Sequence, residues 1–204
     1  MIKATEKIPN SANNTRTDIL KLAVPLFAAK GYNGVSMRDL SNAAELSVAA
    51  IYHHFQDKKT LYLEVLKYTF ADKAVLVTGV INTGGTALER MELLLDHFTQ
   101  LISSDPDFRA LVLWELLDDD EERLRLVAEE VLIEPFNAMN TLMSELAPNE
   151  NNFMLTMSLI WQVVSHFETA PMCRFLPGWK ADYSDPKIIS KHLMQLLKSS
   201  LKLN

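Results

Sequence analysis

Apolar residues recur along this chain at three- and four-residue intervals, the period of one face of an α-helix. Ile19, Leu20, Ala23, Phe27 and Ala28 make the first such face, and Gly31 stops it. Thr15 followed by Asp18 reads as a capping-box variant opening this helix, and Pro25 inside it predicts a kink or one loosened turn. Ser36 followed by Asp39 is a second box, opening a short helix over 37–44 with Leu40, Ala43 and Ala44 inward. After the break Glu45-Leu46-Ser47, Ser47 is a good N-cap for a helix that carries Ile51 and Phe55 at i, i+4. Asp57 caps a longer helix from Lys58 to about Ile81.

Beyond Gly84-Gly85 the helical period continues. Helices are expected over 86–103, from Asp105-Pro106 to about Leu117, and through to 146 with Pro135 as a kink. The acidic run 118–122 suits a helix N-terminus, read as a solvated end. A helix over 149–170, a loop over 171–185 and a last helix from Asp185-Pro186 to about 203 complete the chain. No segment alternates with period two. The pattern predicts an all-α fold of about nine helices. Residues 1–14 form a flexible N-terminal arm, 15–62 a three-helix unit and 63–204 a larger helical bundle, joined by the helix from Lys58.

Composition adds limits. Of 204 residues, 48% are hydrophobic and 23% charged, the values of an ordinary globular protein. A single cysteine, Cys173, cannot make an internal disulfide, which suggests a reducing compartment. The N-terminal stretch has no apolar segment of the secretory kind, and the most apolar long window, 153–164, is too short to span a bilayer. A cytoplasmic protein with no membrane partner is expected. The net charge of −6 hides an asymmetry: residues 1–60 hold eight Lys/Arg against five Asp/Glu, and the remainder 12 against 21. A basic head on an acidic body can approach a polyanion by one end.

Enzyme chemistry finds little support. A di-metal bundle needs Glu-x-x-His twice, yet Ala50, Ile51, Leu94, Val163 and Ile189 stand three residues before the five histidines. His53 and His54 are adjacent and point about 100° apart on a helix, a poor pair for one ion. Glycine-rich phosphate loops are absent. No catalytic residue, metal ligand or cofactor is expected.

The two short helices over 37–55, joined by a tight turn, have helix-turn-helix spacing, although a plain three-helix mini-bundle would share it. With Ile51 and Phe55 inward, Val48, Ala49, Tyr52 and His53 point out. Val48 and Ala49 suit a thymine methyl, Tyr52 a phosphate, and His53 a phosphate or base edge; His54 lies at the boundary, within reach of phosphate. Arg38 has the fork that matches guanine O6 and N7. The helix starts at Ser36, Ser47 and Lys58 offer N–H groups to phosphate, and Lys58 adds a full charge.

The stretch "LFAAKGYNGVSMRDLSNAAELSVAAIYHHFQDKKTLY" resembles the N-terminal domain of the TetR family of bacterial transcriptional regulators. The matches include Phe27, Gly31, Tyr32, Ser36, Arg38, Leu40, Ala44, Leu46, Ser47, Ile51, Tyr52, His54, Phe55, Lys58 and Leu61, within residues 15–62. Glu45 stands where the family usually has glycine; if that turn needs positive φ, Glu costs about 1 kcal/mol and sets a negative charge near the DNA face. Ser41 replaces the usual alanine. The resemblance implies a homodimer that binds a near-palindromic operator and is released by a small, largely apolar effector. An activator or architectural regulator without a ligand remains as an alternative, and so does a helical enzyme or interaction protein.

The resemblance further implies dimerisation through the last two helices. The segment 153–167 is apolar almost all round, and Ile189, Leu193, Leu196, Leu197 and Leu201 form a stripe on the last helix. A ligand pocket is expected from Phe98, Trp114, Leu117, Phe136, Met139, Met143, Met157, Trp161 and His166, large or soft side chains on helices able to converge; each also fits ordinary core.

Overall fold

The computed structural model describes residues 12–202, with side chains from Thr15 on. The expected arm over residues 1–14 lies almost wholly outside that range. Every α-helical or tighter turn lies in one of ten helices or the short elements between them, and no strand occurs among the described residues. The fold is all-α. No helix among the described residues is long and apolar enough to cross a membrane.

The chain divides into two compact units, Met1–Tyr68 and Thr69–Asn204. The first holds α1 (Ala12–Lys30), α2 (Met37–Ala43), α3 (Val48–His54) and the start of α4 (Lys58–Ile81). Ile19, Ala23 and Phe27 of α1, Leu40 of α2, Ile51 and Phe55 around α3, and Leu61, Tyr62 and Leu66 of α4 are buried. The Phe27 and Tyr62 rings meet edge to face at 4.7 Å. One expectation changes here. Helix α1 already runs at Ala12, so Thr15 lies inside it and opens no capping box. Helix α1 continues through Pro25, whose missing N–H removes one bond of the turn, in keeping with a loosened turn there.

The turn between α2 and α3 is set by its hydrogen bonds. Leu46 N–H donates to Ser41 O at 2.9 Å and Glu45 N–H to Asn42 O at 3.3 Å, the paired closure that satisfies the last carbonyls of a helix. That closure needs a left-handed residue just past the cap, and Glu45 supplies it at φ 53°. A side chain there costs about 1 kcal/mol relative to glycine.

The second unit contains α5 (Ala87–Ser104), α6 (Pro106–Leu116), α7 (Glu121–Val127), α8 (Ile133–Leu146), α9 (Asn152–Cys173) and α10 (Pro186–Leu201). Its core joins Met91, Leu94 and Leu95 of α5 to Met139, Leu142 and Met143 of α8, with Leu159 and Val163 of α9 and Leu193 of α10. The kink expected at Pro135 is expressed as a π-helical turn, Ala128–Leu132. Pro135 has no N–H for the Val131 carbonyl, so the turn just before it widens. Helix α9 extends past its expected end, through Pro171 to Cys173. The proline removes one bond, while Arg174 N–H still reaches Ala170 O at 3.1 Å.

The acidic run is not simply solvated. Arg123 is 1% exposed and pairs with Asp118, with Asp120 at 3.6 Å and with Glu115 at 3.8 Å, so part of the run wraps a buried guanidinium. The stripe on α10 is also corrected. Ile189, Leu193 and Leu197 are buried in the core of their own unit, where α10 packs on α5, which leaves them unavailable to a partner.

Candidate nucleic-acid interface

Helix α3 is built as a two-sided wedge. Its inner residues, Ile51 and the capping Phe55, are 0% and 1% exposed, which fixes the helix to the head by about 1.5–3 kcal/mol per side chain. That anchoring leaves Val48, Ala49, Tyr52 and His53 exposed, with Tyr52 at 49%. His54 is half-buried, its ring 5.6 Å from that of His53 and 6.5 Å from that of Phe55. Small residues in the first turn and polar aromatic tips in the second make a face able to enter a groove and donate hydrogen bonds along its walls. No group of three or more His, Cys, Asp or Glu placed to hold an ion occurs among the described residues.

The helix starts differ from the expected phosphate-ready ends. At α2, Ser36 N–H and hydroxyl both donate to one Asp39 oxygen, at 2.8 and 2.6 Å, while Asp39 N–H donates back to the hydroxyl at 3.1 Å. The Ser36 hydroxyl holds the Asp39 carboxyl below its ordinary range, helped by the Ser36 N–H. At α4, Thr60 N–H donates to Asp57 at 2.7 Å and lowers that carboxyl in the same way. A carboxylate thus already occupies both ends, and Ser36 is a closed cap. At α3 the cap is neutral: Ser47 Oγ accepts from Ala50 N–H at 3.1 Å.

Lys58 is half-buried. Its ammonium donates to Val35 O at 2.8 Å and sits 4.2 Å from the Tyr32 ring centre, which braces the start of α4 against the loop before α2. Arg38 is exposed on α2. Sequence reasoning missed Arg16. Its guanidinium lies 4.7 Å over the Phe55 ring and pairs with Glu64 at 3.1 Å, which supports the end of α3 from behind. No local spacing announces that contact, because Arg16 and Glu64 meet only once α1 and α4 pack.

The residues expected to form an effector pocket are scattered over the second unit. Met139 and Met143 are sealed in the core, while Phe98 is partly buried against it. Phe136 is half-buried and meets the Phe153 ring at a tilt, with centroids 5.3 Å apart. Trp114, Leu117, Met157 and Trp161 are exposed, Leu117 at 78%. Two grooves run between α9 and α10, and of the nine residues only His166 lines either. The larger, about 570 Å³, is walled by His166 and Cys173 of α9, His192 of α10, and Trp179 and Tyr183 between them.

Comparison with known proteins bears on both units. The pattern described as "Bacterial regulatory proteins, tetR family" matches residues 19–65. The HTH-type transcriptional repressor AcnR of Corynebacterium efficiens is 36% identical over 105 residues, 48% of this chain and 55% of its own. The chain thus spans about half the length of the curated relatives it matches. The transcriptional regulator FadR of Bacillus subtilis, solved with stearoyl-CoA, superposes with a TM-score of 0.72 at 17% identity over 89% of this chain and 96% of its own. AibR, solved with isovaleryl coenzyme A and operator DNA, gives 0.69 at 17% identity, over 89% and 97%. At such identities these structures establish the shared fold.

Proposed function

We propose that this chain, which belongs to the TetR family of bacterial regulatory proteins, is a DNA-binding transcriptional repressor that seats α3 in the major groove of a near-palindromic operator. The observation that carries the reading is the exposed face of Val48, Ala49, Tyr52 and His53 over the buried anchor Ile51 and Phe55. Arg38 reads a guanine at the edge of the site, Ser47 and His54 meet phosphate, and Lys58 contributes charge while bracing α4. The protein is a regulator and has no catalytic step. A mobility-shift assay against fragments of the source genome tests this, starting with DNA beside the chain's own gene. The reading fails if no fragment binds at low salt.

The operator is bound by a homodimer that joins through α9 and the outer face of α10. Met154, Met157 and Trp161 of α9 and Leu196 of α10 are exposed large apolar side chains, the surface that a second copy would cover. A small, largely apolar effector releases the complex. The two ligand-bound neighbours add acyl-CoA thioesters, whose CoA part is large and anionic, as a second class of compound to test. Stearoyl-CoA and isovaleryl-CoA should raise the melting temperature and dissociate the shifted band. The scatter of the nine pocket residues favours a second reading, a DNA binder of this fold with no effector. Unchanged melting across a thioester and fatty-acid panel would support it.

A further inference from the structure

Glu45 is an exposed side chain held at φ 53° in the turn ahead of α3, a conformation that disfavours any residue with a Cβ. The backbone turn closes α2, but the Glu45 side chain returns nothing to the fold. Among the described residues of the first unit, Asp18 pairs with Lys21, Asp39 with Ser36, Asp57 with Thr60 and Glu64 with Arg16. The Glu45 carboxylate makes no ion pair or hydrogen bond among the described residues. Its electrostatic effect is therefore directed outward.

The distance to a bound duplex is short. Val48 follows Glu45 by three chain steps, at most about 11 Å of extended chain. A phosphate flanking the first turn of α3 thus lies within about one to two Debye lengths of the carboxylate at physiological salt, roughly 8 Å each, and well within one at low salt. The charge is not diluted by a strongly basic surround. Residues 1–60 carry only eight Lys/Arg against five Asp/Glu, and Arg16 and Lys58 are already committed to Glu64 and to Val35.

We propose that Glu45 is a specificity-determining residue: its carboxylate lowers affinity for the phosphate backbone of any duplex, so that stable residence depends on base contacts made by α3 and Arg38. A nonspecific complex is held almost wholly by phosphate contacts and has nothing to offset this repulsion. An operator complex offsets it through base-edge hydrogen bonds. The inference rests on the DNA-binding reading above.

The test uses the full chain and a labelled random-sequence duplex of roughly 30 base pairs, titrated by fluorescence anisotropy across salt. Glu45→Gln removes the charge and keeps the strained backbone; Glu45→Gly removes both. Both variants should bind the random duplex about three- to tenfold more tightly at low salt, and the gain should shrink as salt rises. Only the glycine variant should raise the denaturant midpoint. Equal affinity of Glu45→Gln and the parent chain at every salt overturns the proposal. So does tightening confined to Glu45→Gly, which would assign the effect to backbone strain. A parent chain that binds no duplex at low salt defeats the DNA-binding reading itself, and that outcome is seen before any variant is compared.

Discussion

At Lys58 the ammonium donates to the Val35 carbonyl and lies over the Tyr32 ring, so its removal acts on the fold as well as on any phosphate it meets. Lys58→Ala should lower stability by about 1–3 kcal/mol, the range for a charge-assisted hydrogen bond. It should also flatten the salt dependence of DNA binding by about one unit of slope, through a lost phosphate contact. Urea denaturation and anisotropy across salt separate the two effects, and an unchanged slope leaves Lys58 with the structural role alone. Arg38→Ala should behave differently, because Arg38 is exposed. It should leave stability within about 0.5 kcal/mol, weaken operator binding by about 1–3 kcal/mol and relax one base position. Loss spread evenly over all sequences would count against base reading by this arginine. The capping carboxylates set a pH limit. Asp39 and Asp57 sit below their ordinary values because the folded caps donate hydrogen bonds to the charged form. A lowered folded pKa means stability that is complete above the ordinary carboxylate range and is lost as pH falls through and below it, under about pH 4. Asp39→Asn keeps a cap acceptor and drops the charge, so its denaturant midpoint should fall less between pH 5 and about pH 3 than that of the parent chain.

Among the helices, the caps were readable and the partners of each face were not. Ser36 with Asp39, Ser47, Asp57 and Asp105-Pro106 located helix starts because capping is local chemistry within three residues. Glu45 was legible as a strained turn only through the resemblance, which places glycine there. Periodicity shows that a face is buried without showing what buries it. The Ile189–Leu193–Leu197 stripe was therefore assigned to a second copy, when α5 of the same chain covers it. Arg123 was missed because a buried arginine depends on three carboxylates converging from α6 and the turn after it, a tertiary event. The two faces of α10 now make opposite predictions. Leu193, 1% exposed, leaves a cavity when cut to alanine and should cost about 2–5 kcal/mol in the unfolding of the second unit. Leu196, 46% exposed, should cost little as Leu196→Ala when unfolding is followed at a concentration that keeps the chain monomeric. Equal losses at the two positions would mean that the face assignment is wrong.

For the whole molecule, charge and apolar surface together argue that binding DNA as a single copy would be weak. The head offers a small positive excess, the body is acidic, and of the helix starts at Ser36, Ser47 and Lys58 two are already filled by carboxylates. One α3 helix then has few phosphate contacts with which to hold a half-site. Two α3 helices joined in one dimer would make the second contact intramolecular, which would multiply affinity without any new interaction at the DNA. The exposed Met154, Met157, Trp161 and Leu196 supply the apolar area such a dimer would cover. Trp161 is half-exposed on α9, so Trp161→Glu should leave the fold of the monomer intact and place a charge in the joint. Sedimentation should show the parent chain as a dimer and the variant as a monomer with an unchanged helical spectrum. Operator affinity should fall by at least about 100-fold, and affinity for a single half-site should stay the same. A variant that remains dimeric would move the joint away from α9. A monomeric variant that still binds the full operator with parental affinity would show that each head acts alone, and the near-palindromic operator would then lose its physical basis.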